Sequence, residues 1–159
     1  MYNLMISHSW HYNEHYNKVV NWLNEGLGET EWRNLSVSAD NPLDTTTDRE
    51  LKEKLSNRVR LSSAIIVLAG MYASYSKWID YEIDEAIRMN KVIIGVRPWG
   101  QERIPKKISD NATIIVGWNK NSVVSAVKNY AGKDKSKADR EVKDFTYEYP
   151  HLFSLLYKG

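Results

Sequence analysis

Trp78 and Glu82 stand four residues apart in "SKWIDYEIDEAIRMN", which on a helix puts an indole and a carboxylate on the same side, one turn apart. Such a pair has two readings. It can line a crevice as a binding or catalytic group. Alternatively, Glu82 is favoured by the helix macrodipole near an N-terminus and Trp78 caps the core. His8, His11 and His15, three and four apart, form a second constellation and could share a helix face as metal ligands. They lie in a polar "HYNEHYN" setting with no acidic support beyond Glu14, so solvated histidines are the better reading and no metal is expected. His8 alone is a candidate for lining a cleft.

The elements that must position these residues follow from hydrophobic periodicity. "YNLMIS" (2–7) reads as a strand; Val19, Val20, Leu23 and Leu27 recur at helical spacing before Gly28. "NLSVSA" (34–39) reads as a short strand and "DNPLDTTT" as a turn-rich loop. "DRELKEKLSNRVRLS" reads as a helix with Leu51, Leu55 and Val59 on one face. "AIIVLAG" (64–70) is a buried strand, 76–90 a helix, "KVIIGV" (91–96) a strand, then a Pro-bearing loop, a strand at "ATIIVGW" (112–118) and a helix at "SVVSAVKNYAG". Strands apolar on both faces and separated by helices indicate a parallel sheet covered on two sides. The expected fold is α/β: a flavodoxin-like, doubly wound, five-stranded parallel sheet with helices on both faces.

On the third helix Ile79, Ile83, Ala86 and Ile87 form the stripe that packs on the sheet, with Glu82 and Trp78 on its shoulder and Asp80, Asp84 and Arg88 facing solvent. The core is expected to close by Gly132. The domain therefore spans 1–132, and 133–159 forms a charged linker followed by an aromatic tail, "FTYEYPHLFSLLYKG", that packs back or meets another chain.

Composition narrows the function. A net charge of +2 with both signs interspersed offers no basic stripe for a phosphate backbone, so nucleic acid is not the expected partner. The absence of cysteine removes disulfides, thiolate metal sites and a Cys nucleophile and fits the cytoplasm. No apolar run reaches the length of a membrane span, and the N-terminus has no export pattern.

In open parallel α/β sheets the ligand crevice lies beyond the carboxyl ends of the strands. That rule nominates Ser7, His8, Ser9 and Trp10 after the first strand, and Asp40 and Asn41 after the second. It adds Ala69, Gly70 and Tyr72 after the third, and Arg97 and Trp99 after the fourth. A P-loop and a dinucleotide fingerprint are absent. A phospho-receiver fails because "VLAGM" lacks the required Asp, and a flavin phosphate loop lacks its Gly in "ISHSW".

The run "SSAIIVLAGMYASYSKWIDYEIDEAIRMNKVIIGV" (62–96) resembles the third strand, third helix and fourth strand of a TIR domain. With "ISHSW", "LAGMYA", "WIDYEI", "GVRPWG" and "IVGWN" it is more closely similar to the TIR-like proteins of bacterial Thoeris antiphage defence, the ThsB type. The likeness covers about residues 2 to 131.

The resemblance implies a TIR-type NAD⁺ glycohydrolase or ADP-ribosyl cyclase. Glu82 matches the catalytic glutamate, NAD⁺ is substrate and not cofactor, and the product is linear ADP-ribose or a cyclic messenger that activates a separate effector. Glu82 would stabilise the oxocarbenium-like transition state while Trp10, Tyr72 and Trp78 stack on rings of the substrate. It also implies self-association through TIR surfaces. The loop "SADNPLDTTTD", with Asp40 and Pro42 but no Gly, departs from the Arg, Asp and Pro-Gly pattern common in TIR domains. The alternatives are a non-catalytic TIR-like assembly module and another nucleotide or nucleic-acid enzyme on a flavodoxin-like frame. If Glu82 is catalytic, Glu82→Gln is expected to abolish turnover with little change in thermal midpoint.

Overall fold

The alternation of apolar runs and helix-period segments resolves into eleven elements in a computed structural model that describes residues 1–8, 13–36, 47–71, 76–97 and 103–132. The elements are β1 (Tyr2–Ser7), α1 (Asn13–Leu27), β2 (Trp32–Asn34), α2 (Asp48–Leu61) and β3 (Ala64–Leu68). A 3₁₀ turn (Ala69–Met71) follows, then α3 (Ser76–Arg88), β4 (Val92–Val96), α4 (Lys106–Asn111), β5 (Ile114–Val116) and α5 (Lys120–Tyr130). The strands form one parallel sheet in the order β2-β1-β3-β4-β5. This is the expected doubly wound, flavodoxin-like and TIR-like α/β architecture. Strands β3 (AIIVL) and β4 (VIIGV) are apolar throughout, with β3 buried at every position, because helices cover both sides of the sheet.

Helices α1 and α5 pack together on one face and α2 with α3 on the other. Helix α4 joins the second group: Lys107 Nζ lies 2.6 Å from both Asp80 and Asp84 of α3. Local chemistry sets the ends of these helices. The Thr47 hydroxyl accepts from the Glu50 amide at 3.2 Å to open α2, and the Asn119 side chain accepts from Ser122 N at 2.9 Å to open α5. Gly28, with φ of 101°, ends α1 in the left-handed region. Gly26 permits α1 and α5 to approach closely, since a Cβ there would lie 2.5 Å from a Val124 methyl.

Three expectations are corrected. The second strand is Trp32–Asn34; of the expected span 34–39, residues 35 and 36 are not strand and 37–39 lie outside the described residues. Pairing starts at Tyr2↔Trp32, and Leu35 N still donates to Leu4 O at 2.8 Å. At the next ladder position the Ser36 hydroxyl, not a backbone carbonyl, accepts from Ile6 N at 2.8 Å, and the ladder ends. The Pro-bearing loop contains α4, whose N-cap is Pro105. Six residues with Ile108 alone buried carry no readable period. Ile87 is 42% exposed and leaves the apolar stripe, while Glu82, placed on its shoulder, is fully inside. The linker and tail, 133–159, lie outside the described residues.

Candidate active site

The order β2-β1-β3 places the switch of winding direction at the carboxyl ends of β1 and β3, where doubly wound sheets open their ligand crevice. Successive strand residues point to opposite faces, and here both faces carry polar groups. Ser7, the last residue of β1, points toward α3 and donates its hydroxyl hydrogen to Glu82 Oε2. His8, one residue on, turns toward α1, where its ring stacks on Tyr16 at 4.1 Å between centroids and 12° between planes.

Ser7 (0%), Glu82 (3%), His8 (4%) and Arg58 (2%) are all withdrawn from water. Glu82 occupies the buried face of α3 between Ile79 and Ile83, so burial pushes its carboxyl up to about 8, against the opposing influence of the Ser7 hydroxyl and the Arg58 charge. Burial also lowers Arg58 to about 10, although the charge of Glu82 acts to raise it. Removal from water outweighs mutual attraction for both partners. Arg58 remains a guanidinium at neutral pH. It donates to the carbonyls of Leu35 at 3.1 Å and Ser36 at 2.6 Å, which ties α2 to the end of β2. The imidazole of His8 is held down by burial, partly offset by its bond to the Ile6 carbonyl.

Of the residues nominated from sequence, the structure brings Glu82, Ser7 and His8 together at the end of β1. Trp78 is half-buried on α3, stands edge-on to Tyr81 at 6.4 Å and carries the Lys77 ammonium 4.8 Å from its ring centre. Gly70 is exposed in the 3₁₀ turn after β3. Ser9, Trp10, Asp40, Tyr72 and Trp99 lie outside the described residues, as does His11. His15 is exposed and meets Trp118 at 4.9 Å, away from the His8–Tyr16 stack. Among the described residues no three His, Cys, Asp or Glu side chains form a group able to hold a metal, and no helix is long and apolar enough to cross a membrane.

Sequence reasoning missed Arg58, Tyr16 and Asn34. A signal for Arg58 was present: it falls three residues after Leu55 and seven after Leu51, on the apolar stripe of α2, where a solvated arginine has no place. Tyr16 is buried on α1 and its hydroxyl accepts from Asn34 Nδ2 at 2.7 Å. That partner is remote in sequence and left no local pattern.

A five-stranded parallel sheet in the order β2-β1-β3-β4-β5 alternating with helices is a flavodoxin-like, TIR-like α/β fold. Residues 5–103 match the family described as Thoeris protein ThsB, TIR-like domain, and the chain belongs to that family. Its fold is similar to that of the CMP N-glycosidase BcmB of Clostridium botulinum, with a TM-score of 0.53 and 14% identity over 80% of this chain and 99% of that one. No curated protein matches it in sequence.

Proposed function

We propose that the domain breaks the N-glycosidic bond of NAD⁺, with Glu82 as the catalytic carboxylate, and so makes an ADP-ribose-derived signal for antiphage defence. The observation that carries this reading is the position of Glu82: 3% exposed, at the switch point of the sheet, bonded to Ser7 and facing the charge of Arg58. A glutamate serving only the helix dipole has no reason to leave water. Membership of a Thoeris family and a fold shared with an enzyme named as a CMP N-glycosidase support the same reaction class.

Nicotinamide is cationic in NAD⁺, so when the bond from the ribose anomeric carbon to the ring nitrogen breaks, the electron pair leaves on nitrogen and nicotinamide departs neutral. No acid is needed to protonate it, unlike the leaving group of an ordinary glycoside. Positive charge moves to the sugar, where the ionised Glu82, held by the Ser7 hydroxyl, offsets it. Water then captures the sugar to give ADP-ribose, or a group of the same molecule does so to give a cyclic isomer; the captured nucleophile releases its proton to solvent. The cation of the substrate also favours ionisation of Glu82, which burial alone opposes.

Ser9, Trp10, Asp40, Gly70, Tyr72, Trp78 and Trp99 belong to the same reading as groups flanking the substrate. So do self-association through TIR surfaces and a downstream effector switched by the product. The test is to express wild type and Glu82→Gln in bacteria, with and without phage, and to quantify NAD⁺ and adenine nucleotides by mass spectrometry. Loss of NAD⁺ with a new ADP-ribose-type species in wild type alone is the expected result. Equal nucleotide pools in both, with both proteins folded, would sink the enzyme reading and leave an assembly module.

A further inference from the structure

His8 carries a buried polar atom, Nε2, that has no hydrogen-bond partner among the described residues. The rest of its ring is fully engaged. Nδ1 lies 2.9 Å from the Ile6 carbonyl. A carbonyl only accepts, so Nδ1 must carry the hydrogen. One face of the ring lies on Tyr16, whose own hydroxyl is held by Asn34, and the Asn34 carbonyl oxygen in turn accepts from Ser36 N at 3.0 Å. The stack fixes the plane of the imidazole, and turning the ring over within that plane would lose the bond to Ile6, so the direction of Nε2 is fixed. In the neutral ring Nε2 is then a bare lone pair, an acceptor and not a donor. Burial, which disfavours the imidazolium, keeps it in that form.

Native proteins rarely leave a buried acceptor unpaired, and those that do generally meet a ligand or a water there. The other unpaired buried side chain among the described residues, Asn3, sits at the opposite end of β1, far from the crevice. His8 instead follows Ser7 directly, about 3.3 Å of strand beyond the residue that holds Glu82. The two acceptors therefore flank the same strand end from opposite faces.

We infer that His8 Nε2 accepts a hydrogen bond from a ribose hydroxyl of the substrate, so that the site recognises hydroxyl-bearing nucleosides and rejects their deoxy counterparts. This deepens the proposed NAD⁺ reading and rests on it. Ribose hydroxyls are donors that an acceptor-lined site can use: His8 Nε2 has no donor of its own among the described residues, and the ionised Glu82, which Ser7 engages at Oε2, supplies a second acceptor. A site built to bond a hydroxyl discriminates strongly against the analogue lacking it, because its own polar group is then left buried and unpaired.

Asparagine and glutamine separate the two ring nitrogens. In His8→Asn the amide can still donate to Ile6 but nothing reaches the Nε2 position; in His8→Gln an acceptor returns to that position. With NAD⁺ as substrate, His8→Asn is expected to raise KM about tenfold or more with a smaller effect on kcat, and His8→Gln to recover a good part of it. NAD⁺ analogues lacking one ribose hydroxyl give a readout that needs no variant. One of them should lose at least about tenfold in kcat/KM with wild type and show no further loss with His8→Asn. Equal KM in wild type and His8→Asn, or equal discrimination against every deoxy analogue in both, overturns the inference while Glu82-dependent cleavage still stands. Absence of any Glu82-dependent cleavage of NAD⁺ overturns the functional reading, and the hydroxyl assignment falls with it.

Discussion

Ser7 on β1 donates its hydroxyl hydrogen to Oε2 of Glu82 on α3, across 75 positions of sequence and inside the protein. The bond explains how an acid sits in the middle of an apolar helix face. Ile79, Ile83 and Ala86 bury that face against the sheet, and Glu82 is tolerated there because the strand end offers it a donor and Arg58 offers it a charge. A buried polar group without such partners costs far more than it contributes.

Replacing Ser7 with alanine should expose that dependence. Glu82 loses one of the two influences that hold its carboxyl down, so its ionisation moves to still higher pH. The fold should lose about 1–2 kcal/mol where Glu82 is ionised, from an acceptor left unpaired, and less near pH 5, where the protonated carboxyl no longer needs the donor. Thermal midpoints of both proteins at the two pH values check this. An equal loss at both would mean that Ser7 only packs.

The rate should rise with pH. With Glu82 raised to about 8 in the free protein, most molecules carry the inactive, protonated form at neutral pH, and kcat/KM for NAD⁺ should climb about tenfold per pH unit below that value before levelling above it. The profile of kcat should level at a lower pH, because bound cationic nicotinamide favours the carboxylate. Initial rates between about pH 6 and 9.5 measure both limbs. A rate that instead falls above pH 8 would assign Glu82 as a proton donor.

Hydrophobic patterning made most of the sheet legible because β1, β3, β4 and β5 fall in mostly apolar runs, and α1, α2, α3 and α5 show their stripes. It failed where side chains or single contacts replace the pattern. Ser36 closes the β1–β2 ladder with its hydroxyl, and α4 is held by Ile108 and the pairing of Lys107 with α3. At the site, the strand-end rule found Ser7 and His8, and helical spacing with a family likeness found Glu82. Spacing placed Glu82 on the shoulder of a stripe running to Ile87. The sheet instead covers Glu82 and leaves Ile87 in water, because the rotation of a helix about its axis is set by the whole packed face. The tie between Arg58 and the carbonyls at the end of β2 is tertiary and left no trace in local sequence beyond a misplaced charge.

Arg58 offers a separation of charge from geometry. Arg58→Met removes the cation near Glu82 and leaves the Leu35 and Ser36 carbonyls without their donor. It should destabilise the fold by about 3 kcal/mol and move the midpoint of the pH–rate profile upward. Arg58→Lys keeps a positive charge but not the planar fork that reaches two carbonyls, so it should restore much of the profile and less of the stability. Chemical denaturation and pH–rate curves of the two variants decide the matter. An unshifted profile in Arg58→Met would show that the guanidinium acts only as a structural tie.

Glu82→Gln should stabilise the protein at alkaline pH. The carboxyl rises from 4.5 in the unfolded chain to about 8 in the folded one, so between those values the native state binds more protons than the unfolded state. Stability contributed by this group is then complete below about pH 4.5, falls as pH rises toward 8 and stays flat above it. Glutamine has no proton to lose and keeps a comparable shape. The difference in stability, variant minus wild type, should grow from near zero at about pH 5 to a few kcal/mol at about pH 9. All other titrating groups are common to both chains and largely cancel in that difference. The unchanged midpoint expected from sequence therefore holds only on the acid side, where Glu82 is protonated and resembles the amide. A difference that stays constant with pH would show that Glu82 ionises normally in the folded protein, and that its carboxylate reaches solvent before any substrate does.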